Sequence, residues 1–303
     1  MRLTRSRALA LIGSAAFLTR CGSSAVRVGS KNFSENVTLA EIYAAALEEA
    51  NIRVERHMIV GNTLDAIRSA EIQLYPEYLG TGLVNILQRS LPHATPDRIL
   101  QTLRREYKPF GLTWLHYAKA SDSQGLAVTR RVARDLNVHT LSQCASMAPR
   151  LRLVAPPEFL QRLDGLLGLR RFYNGGFRFK AIRALDIGVQ YDALANREAE
   201  VALVFTSSPQ IARHDLLVLE DDRHFWPPYN IAPVVRLDAL RTHPRIEAVL
   251  DGVSARLAVG TLRELNAAVE VDECDPPLVA RQFLSGVSTS EFNCADLHSR
   301  AGV

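Results

Sequence analysis

Three turns in the chain carry residue types able to hold an anion. Each follows an apolar run and precedes helical periodicity: Gly29-Ser-Lys-Asn-Phe-Ser34, Tyr78-Leu-Gly-Thr-Gly82 and Phe205-Thr-Ser-Ser208. Backbone N–H groups at a helix start form a ready site for a carboxylate or phosphate. Each turn alone also reads as ordinary helix capping; three of them around one cleft point to a ligand. The chain shows no Ser/His/Asp triad, nucleophile elbow, phosphate-binding loop or paired-carboxylate motif, so catalysis is not expected and no cofactor is implied. The charged run Glu220-Asp-Asp-Arg-His224 reads as a solvated loop. Cys21, Cys144, Cys274 and Cys294 form no CxxC or Cys/His grouping, so no metal site is expected. Cys274 and Cys294 could close a loop of about 20 residues or remain separate thiols, and both readings stand.

These turns need strands and helices to position them. Val26-Arg-Val28 predicts a short strand, followed by an amphipathic helix with Leu39, Ile42, Tyr43, Ala46, Leu47 and Ala50 on one face. Thr38 and Glu41 are spaced as a capping box near its start. Further strands are expected at 54–60, 72–75 and 112–115, with helices at 62–69 and 96–107. A second set follows: strands at 126–128, 151–154, within 180–187, at 201–205 and at 216–219, with helices at 157–167 and 191–196. After the Pro227-Pro228 break the pattern is largely helical, at 245–257, 261–270 and 277–283. Alternating strands and helices predict α/β layers. Two such blocks with a helical tail predict two lobes and a cleft.

The composition agrees. A chain of 303 residues, 47% hydrophobic and 22% charged, is an ordinary globular balance, and its length allows about two domains. The net charge of +4 is local, since the first twenty residues hold Arg2, Arg5, Arg7 and Arg20 and no acid. Without them the net charge is zero, which removes any global electrostatic reason to bind nucleic acid. That basic start precedes an uncharged, largely apolar run of eleven residues, Ala8 to Leu18. The run is too short to span a bilayer but fits the core of an export signal. Two cleavage sites compete: Leu18-Thr-Arg-Cys21, with Cys21 as a lipidated first residue, and Ser23-Ser24-Ala25, cut before Val26. Either places the mature protein outside the cytoplasm, periplasmic or anchored by lipid to a membrane, with residues 1–25 as the signal.

Nine runs in order carry a resemblance. They are Val28-Gly-Ser-Lys-Asn-Phe-Ser-Glu35, Leu39-Ala-Glu-Ile-Tyr43, Leu74-Tyr-Pro-Glu-Tyr-Leu-Gly-Thr-Gly82, Pro157-Glu-Phe-Leu160, Asp164-Gly165, Tyr191-Asp-Ala-Leu-Ala-Asn196, Val218-Leu-Glu-Asp-Asp-Arg-His-Phe225, Pro227-Pro-Tyr-Asn-Ile-Ala-Pro233 and Arg263-Glu-Leu-Asn266. Together they resemble the substrate-binding proteins of osmoprotectant ABC importers, which bind glycine betaine, choline, carnitine and related quaternary amines. The resemblance implies a two-lobed periplasmic-binding-protein fold of type II, with an interlobe ligand cleft. It divides the chain into lobe I, 26–123 plus 231–303, and lobe II, 124–230. It also implies an ABC permease of the inner membrane as partner and a monomer as the working form.

A quaternary ammonium cannot donate a hydrogen bond, so aromatic faces hold it. A betaine carboxylate needs charge-assisted donors. By resemblance the cage positions fall on Tyr78, Gln124, Phe205 and Tyr229, and the carboxylate-side positions on Lys31, Thr81 and Arg162. Gln124 stands where the family carries a ring, a loss of about 1–2 kcal/mol or roughly 5–30-fold in affinity. Tyr117 and Trp114 are the rings that could replace it. The family also carries about three more residues in the stretch 61–71, and a second glycine where Asn62 stands. The run His116-Tyr-Ala-Lys-Ala-Ser-Asp122 departs from it as well. An alternative therefore stands beside the osmoprotectant reading: a binding protein of the same fold retuned to another small ligand, such as an amino-acid derivative, or a low-affinity paralogue.

Overall fold

The computed structural model describes residues 25–286 together with Cys294. The expected export signal up to residue 24, with Cys21, lies outside the described residues. Among the described residues ten strands form two five-stranded sheets. The first contains β1 (Val26–Gly29), β2 (Val54–His57), β3 (Leu74–Tyr78), β4 (Leu112–Trp114) and β10 (Ile231–Arg236), in the order β2-β1-β3-β10-β4. The second contains β5 (Gln124–Thr129), β6 (Arg152–Ala155), β7 (Ala181–Ala184), β8 (Val201–Phe205) and β9 (Leu216–Val218), in the order β7-β6-β8-β5-β9. Each sheet has a parallel set and one strand antiparallel to its neighbours, β10 in the first and β5 in the second. Helices cover both faces, as an α/β sheet requires. The fold is the two-lobed α/β arrangement expected, and among the described residues no helix is long and apolar enough to cross a membrane.

The inner strands of each sheet are buried on both sides, and side-chain alternation shows why. On β10, Ile231 and Val235 enter one apolar cluster with the helices Ser34–Glu49, Ile246–Arg256 and Pro276–Ser285, while Ala232 and Val234 enter another with Trp114 and Leu103. On β5, Leu126 and Val128 face one cluster and Ala127 the other. The two crossings between the sheets lie side by side, where Ser121 and Asn230 form an isolated antiparallel bridge.

Four local expectations change. The stretch after Pro227-Pro228 opens with β10, a central strand, and the helices follow it. Prolines argue against a central strand, but Pro233 lies opposite Pro76 of β3, so the two positions lacking an N–H coincide. The first long helix starts four residues before Thr38, at Ser34, so Thr38 and Glu41 make no capping box. Thr38 instead bonds back to the Ser34 carbonyl at 2.8 Å, and Glu41 pairs with Arg56. Asn62, where the family carries glycine, caps the helix Thr63–Arg68 by accepting from the N–H groups of Leu64 and Asp65. The helix expected over 157–167 is two helices, Pro157–Gln161 and Leu166–Phe172. Gly165 makes that break possible, because a Cβ there would sit 2.1 Å from the Phe159 carbonyl oxygen.

Cys274 and Cys294 are joined as a disulfide, with Cα atoms 5.5 Å apart, and Cys144 is a buried free thiol. Such a bond suits an oxidising compartment. Its loop of 20 residues predicts a stabilisation of roughly 3 kcal/mol. Cys274→Ser should lower the urea-unfolding free energy by that amount. An unchanged midpoint would mean that packing alone holds the segment.

Candidate functional site

The ends of β1, β3, β5 and β8 meet the two crossings around a cavity of about 480 Å³, within the range of small-ligand sites. All seven residues expected from the sequence line it: Lys31, Tyr78, Thr81, Gln124, Arg162, Phe205 and Tyr229.

The first wall is built by the β1 and β3 ends. Asn36 ties them together, accepting from the Lys31 N–H at 2.7 Å and donating to the Pro76 carbonyl at 3.0 Å. Glu77 is fully buried and takes an ion pair from Lys31. The Lys31 Nζ therefore lies 5.4 Å from the centroid of the Tyr78 ring. Tyr78 donates its hydroxyl to Glu35 Oε1 at 2.6 Å, and Phe33 stacks near its ring at 6.3 Å between centroids. Thr81 opens the π-helical turn Thr81–Ile86 directly after this strand.

The second wall is organised by one carboxylate. The break between Pro157–Gln161 and Leu166–Phe172 leaves Arg162 extended and turns Asp164 inward. Arg162 donates to Asp164 from Nε and Nη2, both at 2.8 Å. Asp164 Oδ2 also accepts from Asn85 at 2.8 Å, Gln124 at 3.2 Å and the Tyr229 hydroxyl. Its backbone carbonyl takes the Trp226 indole N–H at 2.8 Å. Burial pushes the Asp164 carboxyl up, but the Arg162 bonds and charge outweigh it and hold the group below its ordinary range. Burial, followed by the Asp164 charge, pushes the Tyr229 phenol well up, so it stays protonated and donates.

Tyr229 is packed against backbone. A Cβ on Gly80 would lie 2.7 Å from its ring, so only glycine lets the ring sit there. Gln124 pairs with Phe205 across β5 and β8. Its amide nitrogen serves Asp164, while its buried Oε1 has no hydrogen-bond partner. Of the two rings named as possible replacements, Trp114 is buried in the core against Tyr107 and Tyr117 bonds Asp97 away from the cavity. The additional aromatic residues lining the cavity are Phe33 and Tyr191. Tyr191 also fixes the β8 end, its hydroxyl accepting from the Phe205 N–H at 3.1 Å.

Sequence reasoning did not assign a third set of lining residues: Glu35, Asp122, Ser207, Asn266 and Glu270. Glu35 accepts from Ser207 Oγ and Asn266 Nδ2, each at 2.6 Å, besides Tyr78. Ser207 donates its N–H to Asp122 at 3.0 Å. The Ser34 hydroxyl bonds Glu270. Glu35, Ser207 and Asn266 fall inside the quoted runs or turns, so their signal was present. Asp122 ends the run that departs from the family, and Glu270 lies in none of them.

A family model described as the substrate-binding domain of ABC-type glycine betaine transport systems matches residues 24–286. The chain is 32% identical over 297 residues to a glycine-betaine-binding protein of Pseudomonas aeruginosa, covering 93% of this chain and 94% of that one. It is 30% identical over 262 residues to the ergothioneine transport permease/ergothioneine binding protein of Helicobacter pylori, covering 85% of this chain but 46% of that protein. The chain thus spans about half the length of that relative. Among solved structures, a glycine betaine/carnitine/choline ABC transporter structure superposes with a TM-score of 0.72 at 25% identity, over 86% of this chain and 98% of the other. The apo YehZ structure from Escherichia coli gives a TM-score of 0.64 at 27% identity, over 87% and 98%.

Proposed function

Because this chain belongs to the family of substrate-binding domains of ABC-type glycine betaine transport systems, we propose that its cavity holds a quaternary ammonium osmoprotectant and presents it to a membrane permease. Glycine betaine, choline and carnitine are the ligand candidates. The family works outside the cytoplasm and serves transport. The observation that carries the ligand reading is the one cavity shared by Tyr78, Phe205, Tyr229, Lys31, Thr81 and Arg162. The rings take the ammonium by their negative faces. Arg162, Thr81 and Lys31 take the carboxylate of a betaine. Lobe I comprises 26–123 and 231–303 and lobe II 124–230. The crossings at Ser121 and Asn230 act as the hinge. Ligand touching both lobes favours the closed state that the permease recognises. One chain supplies both walls, which supports a monomer as the working unit. Either a lipid anchor at Cys21 or cleavage before Val26 would place it outside the cytoplasm.

A second reading has its own support. Gln124 gives the cavity an amide in place of a ring, and the Helicobacter pylori relative is named for ergothioneine. An amino-acid betaine of that kind would use the amide where a smaller osmolyte would use the ring.

Calorimetric titration of the protein from Val26 onward with glycine betaine, choline, carnitine and ergothioneine tests both. Saturable micromolar binding of the first three supports the osmoprotectant reading. Binding of ergothioneine alone supports the second, and silence from a folded protein removes both. Arg162→Ala should weaken glycine betaine by about tenfold or more, the loss of a charge-assisted pair, and choline by much less. Equal losses would remove the carboxylate role.

A further inference from the structure

The charges around the cavity do not balance. Among the described residues lining it, the cations are Lys31 and Arg162, and each is already paired with a carboxylate just behind the wall, Glu77 and Asp164. Glu35, Asp122 and Glu270 also line it, and none of them forms an ion pair. Glu35 and Asp122 are buried, and both bond the same residue, Ser207, so they stand close together. Glu270 bonds Ser34, next to Glu35 in the chain. Asn266, also buried on this wall, serves Glu35 through its amide nitrogen and leaves Oδ1 without a partner. The Tyr78 ring, held by Glu35, belongs to the same end.

We propose that Glu35, Asp122 and Glu270 set the charge selectivity of the cavity, favouring a quaternary ammonium ligand of net positive charge, such as choline, over a zwitterion with the same headgroup, such as glycine betaine. The proposal rests on the quaternary-ammonium reading above. Coulomb attraction between the headgroup and three unpaired carboxylates acts on both ligands. A zwitterion brings its own carboxylate into the same field and loses part of that gain. Lys31 and Arg162 can still donate hydrogen bonds to it, but their charges are already neutralised.

The protonation of the wall supports this. Burial raises the Glu35 carboxyl against the lowering bonds from Ser207, Tyr78 and Asn266. Burial and then the Glu35 charge raise Asp122 well above its ordinary range. Burial likewise raises Glu270, with the Glu35 charge adding to it. Carboxyls raised in this way compete for protons more strongly than exposed ones, and a bound cation favours their ionised forms. Cation binding therefore releases protons, and cation affinity climbs as pH rises.

The test is calorimetric titration of choline and glycine betaine from about pH 5 to about pH 8, above the ordinary carboxylate range, in buffers of differing ionisation enthalpy. The expected result is a choline-over-betaine affinity ratio that grows several-fold with pH, with proton release on choline binding. Asp122→Asn keeps the acceptor for the Ser207 N–H. It should cost choline about tenfold, cost betaine less, and flatten the pH dependence. Glu270→Gln, on the less buried acid, should act in the same direction. A ratio that neither pH nor either variant moves overturns the proposal and leaves the ligand reading standing. Absence of binding by both ligands, in a protein with native circular dichroism, overturns the ligand reading and the proposal with it.

Discussion

Asp164→Ala is expected to lower the unfolding free energy by about 2–4 kcal/mol. Removing one partner of a fully buried ion pair typically costs about 3–5 kcal/mol, because the remaining charge is left desolvated. The Arg162 side chain keeps 33% exposure, so the lower figure applies here. The carboxylate is itself only 2% exposed and receives donors from Arg162, Asn85, Gln124 and Tyr229. Each of these would lose an acceptor at once. The Arg162→Met/Asp164→Ala double variant separates charge from packing. It should be more stable than Asp164→Ala alone, since an apolar pair replaces an orphaned guanidinium. Urea unfolding of the three proteins is the measurement. A single-variant loss below about 1 kcal/mol, the scale of an exposed pair, would show that water serves Arg162 as well as Asp164 does.

The same carboxylate shows what the sequence could and could not reveal. The helix over 96–107 was legible to the residue, because Thr95 caps it, Pro96 occupies its first turn and its apolar positions are cleanly periodic. The alternation of strands and helices was legible for the same local reasons. The break at 162–165 was not. It depends on a close approach between Gly165 and the Phe159 carbonyl that only the folded chain creates. The helix Ser34–Glu49 begins with no side-chain cap at Phe33, so only the preceding turn marks its start and the spacing of Thr38 and Glu41 misplaces it. Three prolines hid β10, and its place was set by a partner strand with a proline in register. In the site, residue types at Tyr78, Tyr229 and Arg162 were readable from family runs. Their shared partners were not, because Asp164 and Glu35 collect donors from segments far apart in sequence. Charge balance in the cavity is a property of that convergence, and no single run of residues carries it.

Tyr229 gives the larger expected effect on binding, and its variants separate the two things the residue does. Tyr229→Ala removes a buried ring from the wall. A desolvated cation–π contact is worth about 2 kcal/mol or more, so quaternary ammonium affinity should fall by roughly 30-fold or more. Tyr229→Phe keeps the ring and removes only the hydroxyl that Asp164 accepts. Asp164 retains Arg162, Asn85 and Gln124, so its charge is not orphaned and that variant should stay within about fivefold. Gly80→Ala supplies the control on position. Its Cβ would meet the ring at 2.7 Å, so either the ring or the backbone must move while every cage side chain remains present. Affinity in that variant should fall toward the alanine value. If phenylalanine binds as poorly as alanine, the hydroxyl and its Asp164 contact hold the site together, and the ring face is not what the ammonium recognises. If Gly80→Ala binds normally, the wall adapts, and the ring need not lie against residue 80 to do its work. Phenylalanine near wild type with both other variants impaired is the pattern that a cage built on Tyr229 requires.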